Sequence, residues 1–293
     1  MQAGYILALI TSLFYSLYVI PWKFSKASAM VYTLFLGIGF ALFSVGFYLT
    51  SGMVGGFENL MRPIYALSAL TGAIWAVGFV FFAKAVDAMG IASATQWRTL
   101  QGPFAAILGL IFLGEHAQVN LIYVTGAMVA IFSAALIFTK RGRGEAIRGK
   151  GTGFAFAAAG LFSLIPPLQR YTLTNGGSTM GQQVYFAVFV LIAMLMMVWW
   201  REKKLVVLKE FRLRDNFLGF VAGAILFLRV VIEQNAYARA PVSIAFTIMQ
   251  FNVVWTILIG VFWFREMEFR RYWRRICGGI GLAMVGIVML LFA

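Results

Sequence analysis

The chain has 293 residues, of which 62% are hydrophobic and 12% are charged. With a mean hydropathy of +0.88, this composition excludes an ordinary soluble domain and is typical of a polytopic α-helical membrane protein. The net charge of +14 could indicate a nucleic-acid partner, but the positions of the basic residues indicate membrane topology instead. The only cysteine, Cys277, excludes an intrachain disulfide, and no metal or cofactor motif is present, so we expect neither group.

Ten segments of the chain are long and apolar enough to cross a bilayer as helices, which takes about 20 residues each. They are residues 4–22, 28–50, 64–83, 91–113, 119–139, 152–173, 180–200, 216–238, 242–264 and 273–292. The first begins almost at Met1 without a basic leader, so we expect a retained helix and not a removed signal peptide. We therefore predict an all-α polytopic membrane protein with ten transmembrane helices, the sixth of them broken at Pro166 and Pro167.

The basic residues are concentrated in alternate loops. The loops after the first, third, fifth, seventh and ninth spans, with the adjoining helix ends, contain 19 of the 24 lysines and arginines. The other loops contain only Arg62, Arg170 and Arg239, while Arg98 and Arg229 lie within spans. By the positive-inside rule, we expect the basic loops in the cytoplasm, both termini outside, and the chain in the inner membrane of the cell.

The second half of the sequence repeats features of the first. A shift of 151 residues places Gly72-Ala73-Ile74 on Gly223-Ala224-Ile225. Such short matches also recur by chance in apolar sequence, but several of them lie in register. We therefore predict a first five-helix repeat (1–139), a basic cytoplasmic linker (140–150) and a second five-helix repeat (151–293). Because five is an odd number, the second repeat would be inverted, which is a common plan of secondary transporters with a site near the membrane midplane.

Polar side chains at membrane depth mark the candidate site. A charge near the bilayer centre costs roughly 2.5–3.5 kcal/mol on insertion scales, so it normally faces the bundle interior and is paired or functional. Arg98 and Gln101 are three residues apart in the fourth span, and the 151-residue shift places Asn252 of the ninth span opposite Gln101. The candidate substrate-binding residues are Trp75, Gln96, Trp97, Arg98, Gln101, Arg229, Gln234, Gln250 and Asn252.

Glu233 is the only carboxylate well inside a span, and it follows Arg229 by one helical turn. One interpretation is a local ion pair that eases insertion. The other makes Glu233 a proton-coupling residue. Arg98 has no partner within its own span, so it either reaches Glu233 across a cavity or binds an anionic substrate, since arginine forks onto carboxylates and phosphates.

Four short motifs along the chain are informative together. They are Phe14-Tyr15 with Pro21-Trp22-Lys23, Gly72-Ala73-Ile74-Trp75 with Gly78, Phe112-Leu113-Gly114-Glu115, and Tyr237-Ala238-Arg239-Ala240-Pro241. The chain resembles the drug/metabolite transporter superfamily (EamA-like), on its sugar-uptake side of glucose/ribose porters and L-rhamnose–proton symporters. The resemblance covers the whole chain and implies ten helices in two inverted halves, a sugar-class solute and, as an option, proton coupling. Arg98 and Arg229 depart from the neutral-sugar members, which favours an acidic sugar derivative.

We therefore predict a secondary active transporter, not an enzyme, that moves a sugar or sugar-derived metabolite by alternating access. Its partners would be the small-molecule substrate, the lipid bilayer and, if Glu233 titrates, protons. Two alternatives remain: an exporter of amphipathic metabolites or amino acids of the same superfamily, and a membrane interaction protein without transport activity. Two central arginines disfavour a cationic substrate by like-charge repulsion, and an interaction protein would not need Arg98 or Asn252 at helix centres.

Overall fold

The computed structural model describes residues 2–51, 60–89, 94, 97, 98, 100–114, 121, 122, 125, 126, 128, 129, 150–202, 213–259, 263 and 269–291. Within these ranges the regular structure is helical throughout. The helices are α1 (Gln2–Leu17), α2 (Ile20–Phe24), α3 (Ala29–Thr50), α4 (Tyr65–Met89), α5 (Gln101–Leu113), α6 (Lys150–Thr174), α7 (Thr179–Glu202), α8 (Leu213–Arg239), α9 (Val242–Met249), α10 (Asn252–Leu258) and α11 (Phe269–Leu291).

Six stretches of helix are long and apolar enough to cross a bilayer, so the chain is an all-α, multi-pass membrane protein, as the composition predicts. These stretches are Gln2–Phe24, Met30–Thr50, Tyr65–Ala88, Gly151–Thr174, Thr179–Trp200 and Arg214–Arg239. Shorter apolar helices occur at Phe104–Leu113, Val242–Thr256 and Cys277–Gly286. Most of the predicted fifth span (119–139) and residues 140–149 of the predicted linker lie outside the described residues. The count of ten spans and the division into two halves therefore stay predictions.

The long helices pack along one another through aromatic contacts. Helix α3 packs along α8 and α7, while α4 packs along α6 and α7. Helix α1 packs against α8 and against the pair α9 and α10, and α5 packs against α6 and α9. Phe40 of α3 meets Phe186 of α7 edge-on with ring centroids 5.6 Å apart. Trp75 stacks on Phe79 within α4, at a centroid distance of 4.9 Å.

Two glycines that the repeat predicts to be equivalent lie at close helix crossings. Gly223 of α8 lies against α3, where an added Cβ atom would overlap the backbone oxygen of Leu36. Gly72 of α4 lies against α7, where an added Cβ atom would be 2.5 Å from the backbone oxygen of Phe186. Small residues allow such approaches between membrane helices, whose association depends on packing more than on hydrophobic burial.

Replacement of Gly223 by leucine is expected to lower the melting temperature of the purified protein, because the backbone of α3 cannot move aside without opening the α3–α8 contact. Overpacking costs typically about 1–3 kcal/mol, and a clash with backbone places this variant at the upper end. The matched control is Gly46→Leu in α3, where an added Cβ atom meets nothing within 4 Å. Equal melting temperatures of the two variants in detergent would contradict this account of the crossing.

The fourth and ninth predicted spans each contain a turn near the centre, at residues that keep right-handed helical dihedral angles. Helix α5 begins at Gln101, after the turn residue Leu100, and a turn at Gln250 and Phe251 separates α9 from α10. At the second turn the Phe251 amide donates to the carbonyl three residues back, at 3.0 Å, which tightens the backbone. The 151-residue shift places Leu100 on Phe251, so the two turns occupy equivalent positions of the predicted repeats. The sequence predicted both spans as continuous helices and did not indicate either turn.

The predicted break at Pro166 and Pro167 is wrong, because α6 runs without interruption from Lys150 to Thr174. Each proline leaves the carbonyl four residues earlier without an amide donor. Membrane helices tolerate this where the freed carbonyl groups lie within protein. The residues that carry these carbonyls, Phe162 and Ser163, are both buried.

Candidate functional site

A partly open cavity lies between α1, α4, α6, α8 and α9, beside the start of α5, and its non-atom space is about 320 Å³ when the adjoining open solvent is included. The described residues that line it are Tyr15, Tyr18, Trp75, Arg98, Gln101, Phe162, Ile165, Pro166, Arg229, Glu233 and Phe246. Its wall combines aromatic rings with one carboxylate and two guanidinium groups. We call it the central cavity.

The charged part of the wall contains a local ion pair. Arg229 Nη2 lies 2.6 Å from Glu233 Oε2, one turn further along α8, and the two side chains are 4% and 2% exposed. The other carboxylate oxygen, Oε1, accepts hydrogen bonds from Tyr15 OH at 2.8 Å and from Tyr237 OH at 2.9 Å. Both oxygens of Glu233 therefore have partners, which compensates the burial of its charge.

An aromatic face also stabilises the cation of this pair. Arg229 Cζ lies 4.0 Å from the centroid of the Tyr15 ring and 5.8 Å from that of Tyr18. A desolvated cation over an aromatic face gains about 2 kcal/mol or more. The ring and the carboxylate of Glu233 together make Arg229 a neutralised part of the wall.

Arg98 differs from Arg229 because it is buried without an opposite charge among the described residues. Only 4% of Arg98 is exposed. Its Nη1 donates to Tyr18 OH at 3.2 Å, and its Cζ lies 4.6 Å from the centroid of the Phe82 ring. Neither partner is charged, and the oxygens of Glu233 are held by other groups. With two guanidinium groups against one carboxylate, the described wall carries one net positive charge.

The fourth and ninth predicted spans meet at a pair of amide side chains. Gln101 Nε2 lies 3.4 Å from Gln250 Oε1, in hydrogen-bonding geometry. A Cβ atom on Gly102 would lie only 2.6 Å from Gln250 Cγ, so the absence of a side chain there lets Gln250 approach the first turn of α5. Gln250 is one of the residues that the sequence predicted for the site, whereas Asn252, the predicted repeat mate of Gln101, is not the residue that Gln101 contacts.

The structure brings together only part of the predicted site. The members that line the central cavity, with the predicted coupling residue, are Trp75, Arg98, Gln101, Arg229 and Glu233. Trp97 is half-buried against the hydrophobic core and is not among the described lining residues. Gln96 lies outside the described residues. Asn252 is buried away from the cavity lining, with no partner for its Nδ2 in the described part of the chain. Gln234 lines a different cavity.

Sequence reasoning missed the roles of three tyrosines that hold the charged groups. Tyr15 and Tyr237 donate to Glu233, while Tyr18 accepts from Arg98. A signal was present, because Tyr15 and Tyr18 are three residues apart in an apolar segment and Tyr237 follows Glu233 by one turn. Buried phenol groups usually have a hydrogen-bond partner, so tyrosines with this spacing point to polar groups on neighbouring helices.

Comparison with known proteins identifies the fold alone. No protein-family model matches the chain, and no curated protein matches it. A solved structure described only as "Crystal structure of protein" superposes with a TM-score of 0.76 at 15% sequence identity, over 100% of this chain and 99% of that one. At this identity the likeness shows a shared fold along the whole length and carries no information about activity.

Proposed function

We propose that this protein is a secondary transporter of the inner membrane that moves a small anionic metabolite, with sugar acids as the leading class. It works by alternating access between two inverted five-helix halves and belongs with the drug/metabolite transporters that it resembles. The observation that carries the proposal is Arg98, a buried cation in the cavity wall whose described contacts are uncharged.

An anion supplies the charge that the central cavity lacks. An unpaired buried cation is costly, and a carboxylate lets the planar guanidinium of Arg98 donate two parallel hydrogen bonds. Gln101 and Tyr18 add neutral donors and acceptors for hydroxyl groups, and Trp75 adds an apolar face. A hydroxylated carboxylate matches all of these features, whereas a cation meets repulsion.

The packing order of the helices supports two equivalent halves. Each helix has an equivalent helix in the other predicted repeat. By this equivalence the contact between α4 and α6 corresponds to a contact between α8 and α1, and both contacts occur. The contact between α3 and α8 corresponds to one between α7 and α4. The contact between α5 and α6 corresponds to one of α9 and α10 with α1, and these contacts occur as well. The equivalent turns at Leu100 and Phe251 add to this support.

Two hydrogen-bonded contacts close opposite ends of the predicted transporter, and we call them latches. At the predicted cytoplasmic end, the Lys26 amide donates to Asp215 Oδ1 at 3.1 Å and ties the loop after α2 to the start of α8. At the predicted outer end, the Ser178 amide donates to Tyr65 OH at 2.9 Å and ties the loop after α6 to the start of α4. The 151-residue shift moves Lys26 to the position before Ser178, and it moves Tyr65 to the position after Asp215. The two latches therefore join equivalent places of the predicted repeats.

Loss of one latch is expected to open the central cavity to one face only. Asp215→Ala should raise the labelling of a cavity cysteine (Ile165→Cys with Cys277→Ser) several-fold from the cytoplasmic face, and Tyr65→Phe should raise it from outside. A membrane-impermeant maleimide measures both rates in inside-out and right-side-out vesicles. Tyr171→Phe, at an exposed tyrosine of α6, is the control. Equal changes at both faces would contradict the role of the latches.

A ligand screen tests the proposed substrate class. Glucuronate is expected to stabilise the purified protein more than neutral glucose does, and cationic glucosamine is expected to have no effect. Ligand at about 100 times its Kd stabilises the folded state by about 2.7 kcal/mol, which is measurable as a rise in melting temperature. Stabilisation by glucose alone would overturn the anionic assignment in favour of a neutral sugar. Stabilisation by glucosamine would overturn it in favour of a cation exporter.

A further inference from the structure

A second, partly open pocket lies between α3, α7 and α8, and its non-atom space is about 300 Å³ when the adjoining open solvent is included. The described residues that line it are Ser44, Phe47, Tyr48, Thr179, Met180, Gln183, Val231, Gln234 and Asn235. Adjacent residues of α8 serve the two cavities, since Glu233 lines the central cavity and Gln234 lines this one. None of its described lining residues carries a charge. We call it the amide cavity.

The amide groups in this cavity are incompletely hydrogen-bonded within the protein. Gln234 is 0% exposed, and neither its Nε2 nor its Oε1 has a partner among the described residues. Gln183 is 3% exposed, and its Nε2 lies 3.2 Å from Ser44 Oγ in a hydrogen bond, while its Oε1 has no partner in the same part of the chain. A buried polar group without a hydrogen bond costs about 1–3 kcal/mol. A molecule that entered the cavity and paired with these atoms would remove that cost.

Asn235, the third amide in this wall, is hydrogen-bonded within the protein. Its Nδ2 donates to the backbone oxygen of Val231 at 2.8 Å, and its Oδ1 accepts from Arg239 Nη1 at 3.3 Å. The amide of Asn235 is therefore satisfied by the protein itself. Gln234 and Gln183 leave free atoms in the wall of the same cavity.

We propose that the amide cavity is a second binding site, for an uncharged group that bears hydroxyls. The free atoms are one amide NH₂ donor and two amide oxygen acceptors, a set that hydroxyl groups satisfy because they donate and accept at once. A charged group would be desolvated here without an opposite charge in the described wall. Phe47 and Tyr48 provide apolar surface for the carbon skeleton of the ligand.

Two sources carry this chemistry: a free sugar or polyol, and the sugar headgroup of a membrane lipid. Phe47 is 40% exposed, so the wall of the cavity reaches the outside of the helix bundle. A headgroup could therefore enter with its lipid, and a free solute could enter from water. The site goes beyond the proposed transport function, because it requires nothing of Arg98 or of the central cavity.

The test uses the full-length protein and two neutral probes. Glucose is titrated into the protein in nanodiscs by calorimetry, and monoglucosyl diacylglycerol is compared with diacylglycerol by native mass spectrometry. Gln234→Met keeps the length of the side chain and removes the amide, so it should weaken binding of the occupying probe about tenfold or more. Gln183→Met is the second variant. The matched control is Gln182→Met, because Gln182 is also buried with an unpartnered amide but does not line the cavity.

Each outcome decides the proposal. Saturable glucose binding that Gln234→Met weakens and Gln182→Met preserves supports a free-solute site, and the same pattern with the glycolipid supports a headgroup site. If neither probe binds, or if Gln234→Met and Gln183→Met both bind the probe like the wild type, the proposal is overturned and ordered water is the partner of these amides. Gln234→Met should melt no lower than the ligand-free wild type, since it removes an unpaired amide. Glucose binding that depends on Gln234 would stand even if glucuronate failed to bind the central cavity.

Discussion

Arg98→Ala is expected to abolish saturable binding of an anionic solute, while the protein still inserts and purifies as a monodisperse species. The Arg98 guanidinium has a phenol and a ring as its described partners, those of Tyr18 and Phe82. Its removal leaves no buried carboxylate unpaired, since Glu233 keeps Arg229. Loss of one member of a buried ion pair is strongly destabilising, but Arg98 belongs to no such pair among the described residues. Binding is therefore the property that is lost, and calorimetric titration with glucuronate measures it.

Arg98→Lys separates charge from geometry at the same position. Lysine keeps the positive charge but loses the planar fork, so a bidentate contact should weaken by about 1.5–3 kcal/mol. The control is Arg274→Ala, which removes an exposed arginine of α11 and should leave binding unchanged. If Arg98→Ala binds glucuronate normally and only melts lower, then Arg98 stabilises the fold, and a neutral sugar becomes the better substrate hypothesis.

The features that the sequence predicts well are those set by local chemistry. Apolar runs of sufficient length predict the long helices, because an exposed backbone cannot stay unpaired in lipid. The spacing of Arg229 and Glu233 predicts their ion pair, because residues four apart share a helix face. Burial of Arg98 follows from the cost of exposing a charge to lipid.

The features that the sequence leaves undetermined depend on how distant segments meet. Tyr15 reaches Glu233 across 218 residues of chain, and no local pattern pairs them. The contact between Gln101 and Gln250 likewise joins residues 149 positions apart in the chain. The adjacent position of Gln234 and Glu233 suggests one site, but a step of about 100° around a helix sends neighbours to different faces. The two residues consequently line two cavities.

Glu233→Gln is expected to uncouple uptake from the proton gradient, while substrate exchange continues. With Glu233 ionised, the described wall of the central cavity carries one net positive charge. With Glu233 protonated, Arg229 loses its opposite charge and the wall carries two. An anion therefore binds the protonated state more tightly, and by linkage its binding favours protonation. This reciprocity is the property that a proton–anion symporter requires.

Glutamine mimics the charge of the protonated state and cannot titrate. Its side-chain oxygen can still accept from Tyr15 and Tyr237, so the shape of the site is largely kept. We expect Glu233→Gln to bind glucuronate more tightly than the wild type, because the described wall of its central cavity carries two net positive charges instead of one. Removal of one partner from a buried ion pair costs about 3–5 kcal/mol, so this variant should also melt lower. Replacement of both Arg229 and Glu233 by methionine removes the two charges together and should recover most of that stability.

Proteoliposomes with an imposed pH gradient distinguish a coupling role of Glu233 from a structural one. Asp87→Asn, at an exposed carboxylate near the end of α4, is the control and should keep gradient-driven uptake. If Glu233→Gln retains the pH dependence of the wild type, then Glu233 serves only as the structural partner of Arg229, and another group or ion drives transport. The variant in which methionine replaces both Arg229 and Glu233 separates loss of coupling from loss of stability. If its stability recovers and its uptake still ignores the gradient, loss of coupling cannot be a consequence of unfolding.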